Sequence, residues 1–260
     1  MKSKKIVFIG AGNLATHLAK AMYNSGYCIE QVFSRTEQSA QQLAHLVNAQ
    51  YTTKLSEVLL GRDLYVVSLK DDALISLIPQ IMDNKTESLV VHTSGSVPID
   101  VWKGFGNSYG VVYPMQTFSK SKAVDFSTIP IFLEANQPAN LALLHDYFDG
   151  LSSKVYEATS EQRKKLHLAA VFACNFSNHM YTLSEEILKR YGLPFDAMYS
   201  LIDETTAKIH EIEPAKAQTG PAIRGDQAVM DKHLGMLSDM PEAQEIYRLV
   251  SQSIQKYKSE

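Results

Sequence analysis

The chain has 260 residues, 45% hydrophobic and 20% charged, so it can take roughly 70–75% of its unfolded surface out of water without staples. That mixture excludes a disordered chain, a collagen-like chain and a long coiled coil. Acidic residues number 28 and basic ones 25, a net charge of −3 that lacks the basic footprint of a nucleic-acid or anionic-membrane binder.

Cys28 and Cys174 are far apart, form no metal-ligand spacing and fit a reducing cytoplasm, so neither a disulfide framework nor a metal is expected. Lys2, Lys4 and Lys5 precede an apolar run, as in a secretory signal. The run Ile6–Ile9 stops at Gly10, too short for such a segment, and nothing later approaches the roughly 18 apolar residues of a membrane span.

In chain order, Ile6–Ile9 is a short apolar run, the pattern of a strand buried on both faces. Gly10-Ala11-Gly12 breaks it, and Leu14, Leu18, Ala21 and Met22 then recur at helical spacing. Strands are expected at Ile29–Phe33, Leu64–Val67, Leu89–Val91, Tyr109–Tyr113, Ile129–Leu133 and Lys154–Tyr156. Helices are expected at Glu37–Val47 and from Asp71-Asp72, whose acids suit a helix start. Pro114, Pro130 and Pro138 mark loops. Strands alternating with helices imply βαβ units and a mostly parallel sheet.

After Ala158 the texture becomes wholly helical. Thr159 or Ser160 can cap a helix of about thirty residues that runs to Tyr191-Gly192 with an apolar stripe, well beyond the roughly 10–14 of an average helix. Further helices are expected over Pro194–His210, Gln227–Leu237 and Glu242–Tyr257.

Gly10-x-Gly12-x-x-Ala15 stands between a buried strand and an amphipathic helix, the context of a dinucleotide fingerprint. Gly10 allows the turn, Gly12 lets backbone approach a pyrophosphate, and Ala15 lets helix and strand pack. Asn13 and Leu14 complete the loop, whose helix N-terminus offers free N–H groups to phosphate. About twenty residues on, Ser34-Arg35-Thr36 offers a guanidinium and two hydroxyls and no acid, which suits the 2′-phosphate of NADP better than the bare ribose of NAD. Ser34-x-x-Glu37 also reads as a capping box.

Phe8-Ile9-Gly10-Ala11-Gly12-Asn13-Leu14-Ala15 resembles the start of pyrroline-5-carboxylate reductases and deazaflavin-dependent NADP oxidoreductases. Val91–Ser96, Pro114-Met115-Gln116-Thr117-Phe118, Leu166–Ala170 through Asn175, Thr219-Gly220-Pro221 and Arg224-Gly225-Asp226 resemble a subgroup of these. That subgroup joins a Rossmann-like domain to a helical C-terminal domain of unknown function, and the resemblance spans nearly the whole chain. It implies an NADP-dependent oxidoreductase and a homodimer. Tyr113-Pro114 departs from the His-Pro of relatives, prephenate dehydrogenases included, so a role carried by that His does not transfer.

Ligands of such sheets bind at the carboxyl ends of the strands, where Ser68-Leu69-Lys70 and Thr93-Ser94-Gly95 are expected to line ribose and nicotinamide. Ser94-Gly95-Ser96 also reads as a turn and Lys70 as a solvated lysine. Hydride transfer to a carbonyl or imine needs a proton donor. On the long helix, His167 falls in line with Val171, Cys174 and Asn178, with Asn175 beside them. The other reading is a buried His satisfied by backbone. His179 and His233 are weaker candidates; His17, His45 and His145 read as surface helix positions. Asp226 reads as an N-cap, while Arg224 could grip a carboxylate in a planar fork or pair with Asp226.

The sequence therefore predicts an α/β protein. A Rossmann-like dinucleotide-binding domain spans 1–157, and a helical substrate and dimerisation domain spans 158–260. The expected activity is hydride transfer between NADP(H) and a small anionic metabolite held between the domains, with His167, Asn175 and Arg224 at the reaction centre. An NAD-preferring hydroxy- or imino-acid dehydrogenase and a redox-inactive NADP-sensing module are the competing readings.

Overall fold

The structure, a computed structural model, describes residues 4–85 and 87–257; Lys2 of the basic cluster lies outside them. In chain order it runs β1 (Lys5–Ile9), α1 (Asn13–Asn24), β2 (Cys28–Phe33), α2 (Glu37–Leu46), β3 (Gln50–Thr52), β4 (Leu64–Val67), α3 (Asp71–Met82) and β5 (Leu89–His92). There follow β6 (Tyr109–Pro114), β7 (Ile131–Ala135), α4 (Pro138–Phe148), β8 (Val155–Glu157) and α5 (Ser160–Ala170). The rest is α6 (Ser177–Arg190), α7 (Tyr199–Glu211), α8 (Pro214–Ala217), α9 (Pro221–Arg224), α10 (Gln227–Met236) and α11 (Pro241–Lys256).

All eight strands form one sheet in the order β3-β2-β1-β4-β5-β6-β7-β8. Every neighbouring pair is parallel except β6 and β7. The apolar run of β1 is explained by the two layers it feeds. Ile6 and Phe8 pack with Leu18, Met22, Leu64 and Val66 on one face. Val7 and Ile9 pack with Tyr65, Leu74, Ile78 and Trp102 on the other. The strand order reverses between β1 and β4, so the turns after these two strands open at a topological switch point.

This is the expected α/β sheet followed by helices. Four elements, β3, α4, α8 and α9, were not foreseen. β3 is short and half polar, and it forms by pairing with the end of β2. Pro138, read as a loop marker, sits at the first turn of α4, where its missing N–H costs nothing. The Ser34–Glu37 capping box does not form: Thr36 is the N-cap of α2 and makes no side-chain cap bond. Thr159 does cap α5, in a reciprocal box with Gln162.

The backbone packs as two units, Met1–Cys174 and Asn175–Glu260, so α5 belongs with the sheet although the sequence changes texture at its start. Helical turns run unbroken from Ser160 to Arg190, but Val171–Phe176 form a π segment. A π turn holds an extra residue, so the 3.6-residue spacing that aligned His167 with Cys174 and Asn178 does not run through it. In the second unit α9 lies against α10 and α11. Its core is small: Leu237, Met240 and Ala243 cluster with Leu183, Ile187 and Tyr247 packed around them, and Ala222 and Met230 are buried as well.

Candidate active site

Gly10 ends β1 with φ 117°, and its N–H donates to the Phe33 carbonyl at 2.8 Å. A Cβ here would lie 2.1 Å from the Ser68 carbonyl oxygen, so glycine alone lets the turn after β1 press on the turn after β4. Gly12 is the N-cap of α1 and has no side chain to offer, so no side chain caps the helix. A Cβ on Gly12 would meet nothing within 4 Å, and the first turn carries no acid. Uncapped amides facing open space are what a pyrophosphate requires, so the loop fits a dinucleotide. Ala15 is fully buried beneath it and Leu14 half-buried.

The Pro114–Phe118 motif finds its place beside this loop. Asn13 Nδ2 donates to the Phe118 carbonyl at 2.9 Å, and the Phe118 ring stacks on His17 at 5.5 Å. His17, expected at the surface, is instead 7% exposed, with Nε2 2.9 Å from the Ser119 carbonyl oxygen. At the end of β2, the Ser34 N–H donates to the Thr52 carbonyl. Arg35 and Thr36 are exposed, and Arg35 makes no hydrogen bond or ion pair with another described residue. Its guanidinium is therefore available to a 2′-phosphate.

The turns after β4 and β5 are tied to each other. Thr93 Oγ1 donates to Ser68 Oγ at 3.1 Å. Leu69 packs beside Gly10, and Lys70 is exposed at the start of α3. Ser94 is fully engaged: its hydroxyl donates to Asp71 at 2.8 Å and accepts from the Ser96 and Val97 amides. Its own amide donates to His92 Nδ1, and its carbonyl accepts from Arg163 Nε. Ser94-Gly95-Ser96 is thus a clamped turn.

His167 lies against that turn. A Cβ on Gly95 would sit 2.8 Å from His167 Nδ1 and 2.9 Å from Tyr113 Cζ. With glycine there, the rings meet, Tyr113 Oη standing 3.1 Å from His167 Nδ1. The buried-histidine reading is excluded: the residue is exposed, although its inner nitrogen is bonded. Burial raises the Tyr113 phenol above its ordinary range, the Arg163 charge opposing. In the second unit, Asn175 and Arg224 are exposed. Asp226 caps α10 through the Val229 amide and is not paired with Arg224. His233 bonds to the Tyr247 hydroxyl at 2.9 Å.

Sequence reasoning missed Arg163, Glu134, Asp71 and His92. Arg163 is 0% exposed and donates to the Glu134 carboxylate and to the Ser94 and Val97 carbonyls. Nothing in the run Glu161-Gln162-Arg163-Lys164-Lys165 marks it off from its solvated neighbours. Among the described residues, no group of three or more His, Cys, Asp or Glu is placed to hold a metal, and no helix is long and apolar enough to cross a membrane.

The profile of the family described as NADP oxidoreductase, coenzyme F420-dependent, matches residues 5–95, and that of a domain of unknown function, DUF2520, matches 129–254. A Bacteroides fragilis protein of known crystal structure, provisionally named an NADP oxidoreductase, is 56% identical, with 98% of each chain covered and a TM-score of 0.94. The chain belongs to this NADP oxidoreductase family. Members of more distant groups share its fold. An imine reductase from Myxococcus stipitatus in complex with NADP+ is 17% identical over 97% of this chain and 92% of its own, with a TM-score of 0.68. A pyrroline-5-carboxylate reductase from Coxiella burnetii is 18% identical over 100% of both chains, with a TM-score of 0.60. Curated proteins include no match.

For this family member the turn after β5 implies a pH limit. Desolvation and then the Arg163 charge push His92 down to about 3 from 6.5, against smaller pulls from the Pro98 carbonyl and Asp71. Between those values the unfolded chain binds a proton that the folded one refuses. Stability is therefore lost as pH falls from 6.5 toward 3, by up to about 1 kcal/mol per pH unit from this group. Urea unfolding at several pH values should show a shallower acid limb in His92→Asn. An unchanged limb would assign the acid sensitivity to other groups.

Proposed function

We propose that the protein transfers hydride between NADP(H) and a small anionic metabolite, with His167 handling the accompanying proton. The observation that carries this reading is an unbroken series of contacts along the carboxyl ends of the strands. Gly10 presses on Ser68, Ser68 bonds Thr93, and the turn at Gly95 receives His167 and Tyr113. A phosphate cradle and a proton-bearing ring are thereby fixed on one frame.

Gly10, Gly12, Asn13, Leu14 and Ala15 would hold the pyrophosphate, and Ser34, Arg35 and Thr36 the 2′-phosphate. Ser68, Leu69, Lys70 and Thr93 would line the ribose and nicotinamide side. Ser94, with every polar group engaged, would shape that side rather than bond to it. The bound cofactor supplies a hydride donor or acceptor; the chain supplies position, and a proton at the substrate heteroatom. Asn175 and Arg224 enter on their residue types, an amide to hold a polar group and a planar fork for a carboxylate. That the metabolite is a keto, imino or hydroxy acid rests on Arg224. A cytoplasmic setting rests on the cysteine usage.

The absence of an acid after β2 favours NADP over NAD. NADPH should bind more tightly than NADH in a fluorescence titration, and Arg35→Ala should weaken NADPH by about 1.5–3 kcal/mol while leaving NADH alone. Equal affinities in the unaltered protein would remove the claim.

In a screen of small carbonyl and imino compounds followed by NADPH absorbance, acids should turn over. His167→Gln should lower kcat by about 10²-fold with NADPH affinity retained. Turnover confined to neutral compounds would end the anionic-substrate reading, full turnover by the variant would end the role of His167, and silence with every compound would favour a sensor.

We also propose a homodimer. Leu193, Leu201, Ile209, Met236 and Leu249 of the second unit are 50–61% exposed around a small core. A patch formed by such side chains would be covered by a partner copy. Light scattering should give twice 29.0 kDa; a monomer at micromolar concentration with NADPH present would refute it.

A further inference from the structure

We infer that Tyr113 is a positioning residue for His167, holding Nδ1 inward so that Nε2 is the nitrogen presented to a substrate. The inference rests on the reading of His167 as the proton-handling group and deepens it by naming the atom.

Tyr113, near the end of β6, is 8% exposed, its ring between Phe132 and the edge of His167. Its only polar atom beyond the backbone reaches Nδ1 at 3.1 Å. Three restraints converge on that contact. Gly95 leaves the space for it, since a Cβ would intrude on both rings. Asp71 accepts from the Ser94 and Ser96 hydroxyls on one side of the turn. Arg163 grips the Ser94 and Val97 carbonyls on the other, from the same helix that carries His167.

A phenol is both donor and acceptor. Toward a neutral imidazole the Tyr113 O–H donates to the Nδ1 lone pair, which leaves the ring proton on Nε2. Toward an imidazolium it turns and accepts from Nδ1–H. In either state the same nitrogen is occupied and Nε2 is the free one, so the ring keeps one orientation through a proton transfer. Burial keeps the phenol protonated at neutral pH. The charged and titratable groups bearing on Tyr113 are Arg163, which is committed to Glu134, Ser160 and the turn, and the Cys174 thiol. Tyr113 itself never reaches the reacting atoms; it acts through His167.

The test uses the full-length protein and the Tyr113→Phe variant, which keeps the ring and removes only the hydroxyl. Imidazole ¹⁵N spectra across pH 5–9 need no substrate. They should show neutral His167 with its proton on Nε2 and Nδ1 shifted as a hydrogen-bond acceptor. In Tyr113→Phe the Nδ1 signal should move toward that of an unbonded ring, with NADPH affinity retained. Identical ring-nitrogen shifts and titration in both proteins, or a proton on Nδ1 in the neutral ring, would overturn the inference. A control by thermal melting shows that the variant is folded; should it not be, the ring-nitrogen shifts of the unaltered protein decide alone, and a proton on Nδ1 or an unbonded Nδ1 in the neutral ring overturns the inference.

With a turnover assay in hand, Tyr113→Phe should lower kcat by about tenfold and have no further effect in a His167→Gln background, because a residue acting through another is silent once that other is gone. Additive losses would overturn the inference. A His167→Gln variant with full turnover overturns the proton role and leaves the ring spectra to judge the pairing separately.

Discussion

A guanidinium at 0% exposure has no water to solvate it, and the first unit is organised around meeting that demand from Arg163. Its charge is balanced by Glu134, and its remaining donors reach Ser160 and the Ser94 and Val97 carbonyls. Removing one partner of such a pair leaves an uncompensated buried charge, at about 3–5 kcal/mol. The groups that satisfy Arg163 come from β7, from the start of α5 and from the turn after β5. Solving the solvation problem therefore also fixes the turn carrying Gly95 against the helix carrying His167. Position at the site is a by-product of a charge that cannot be left unpaired.

The phosphate loop works by the opposite device, through what is missing. Gly10 has no Cβ to strike the Ser68 carbonyl, and Gly12 has no side chain to cap α1. The helix amides are left without intramolecular partners, which is unfavourable in the empty fold and favourable to an anion. The segment after β6 secures the rim, with Asn13 and His17 bonded to consecutive carbonyls at Phe118 and Ser119. Two sequence motifs, 105 residues apart between Asn13 and Phe118, thus serve one loop.

The second unit is a different kind of object. Its buried apolar side chains are Ala222, Met230, Leu237, Met240 and Ala243, few for a unit of this length. Its long apolar side chains stand at the surface instead. The π segment lies where the two units divide, in the middle of a helix that is otherwise regular. π turns of this sort recur at functional sites because the extra residue redirects side chains without ending the helix.

The order of the sheet strands and helices was largely legible, because a strand buried on both faces writes itself as an apolar run and a helix as a 3.6-residue period. The glycine loop was legible too, since its geometry admits no other residue at Gly10. β3 and α4 were not, one owing its existence to pairing with β2 and the other opening on a proline that reads equally as a break. His17 was misplaced because its burial comes from a segment about a hundred positions away. The pairing of Tyr113 with His167, and the choice of Arg163 over two adjacent lysines, were decided only by the tertiary structure. They depend on residues brought together from β6, β7 and α5, and linear spacing carries no information about which polar side chain the folded chain will shut away from water.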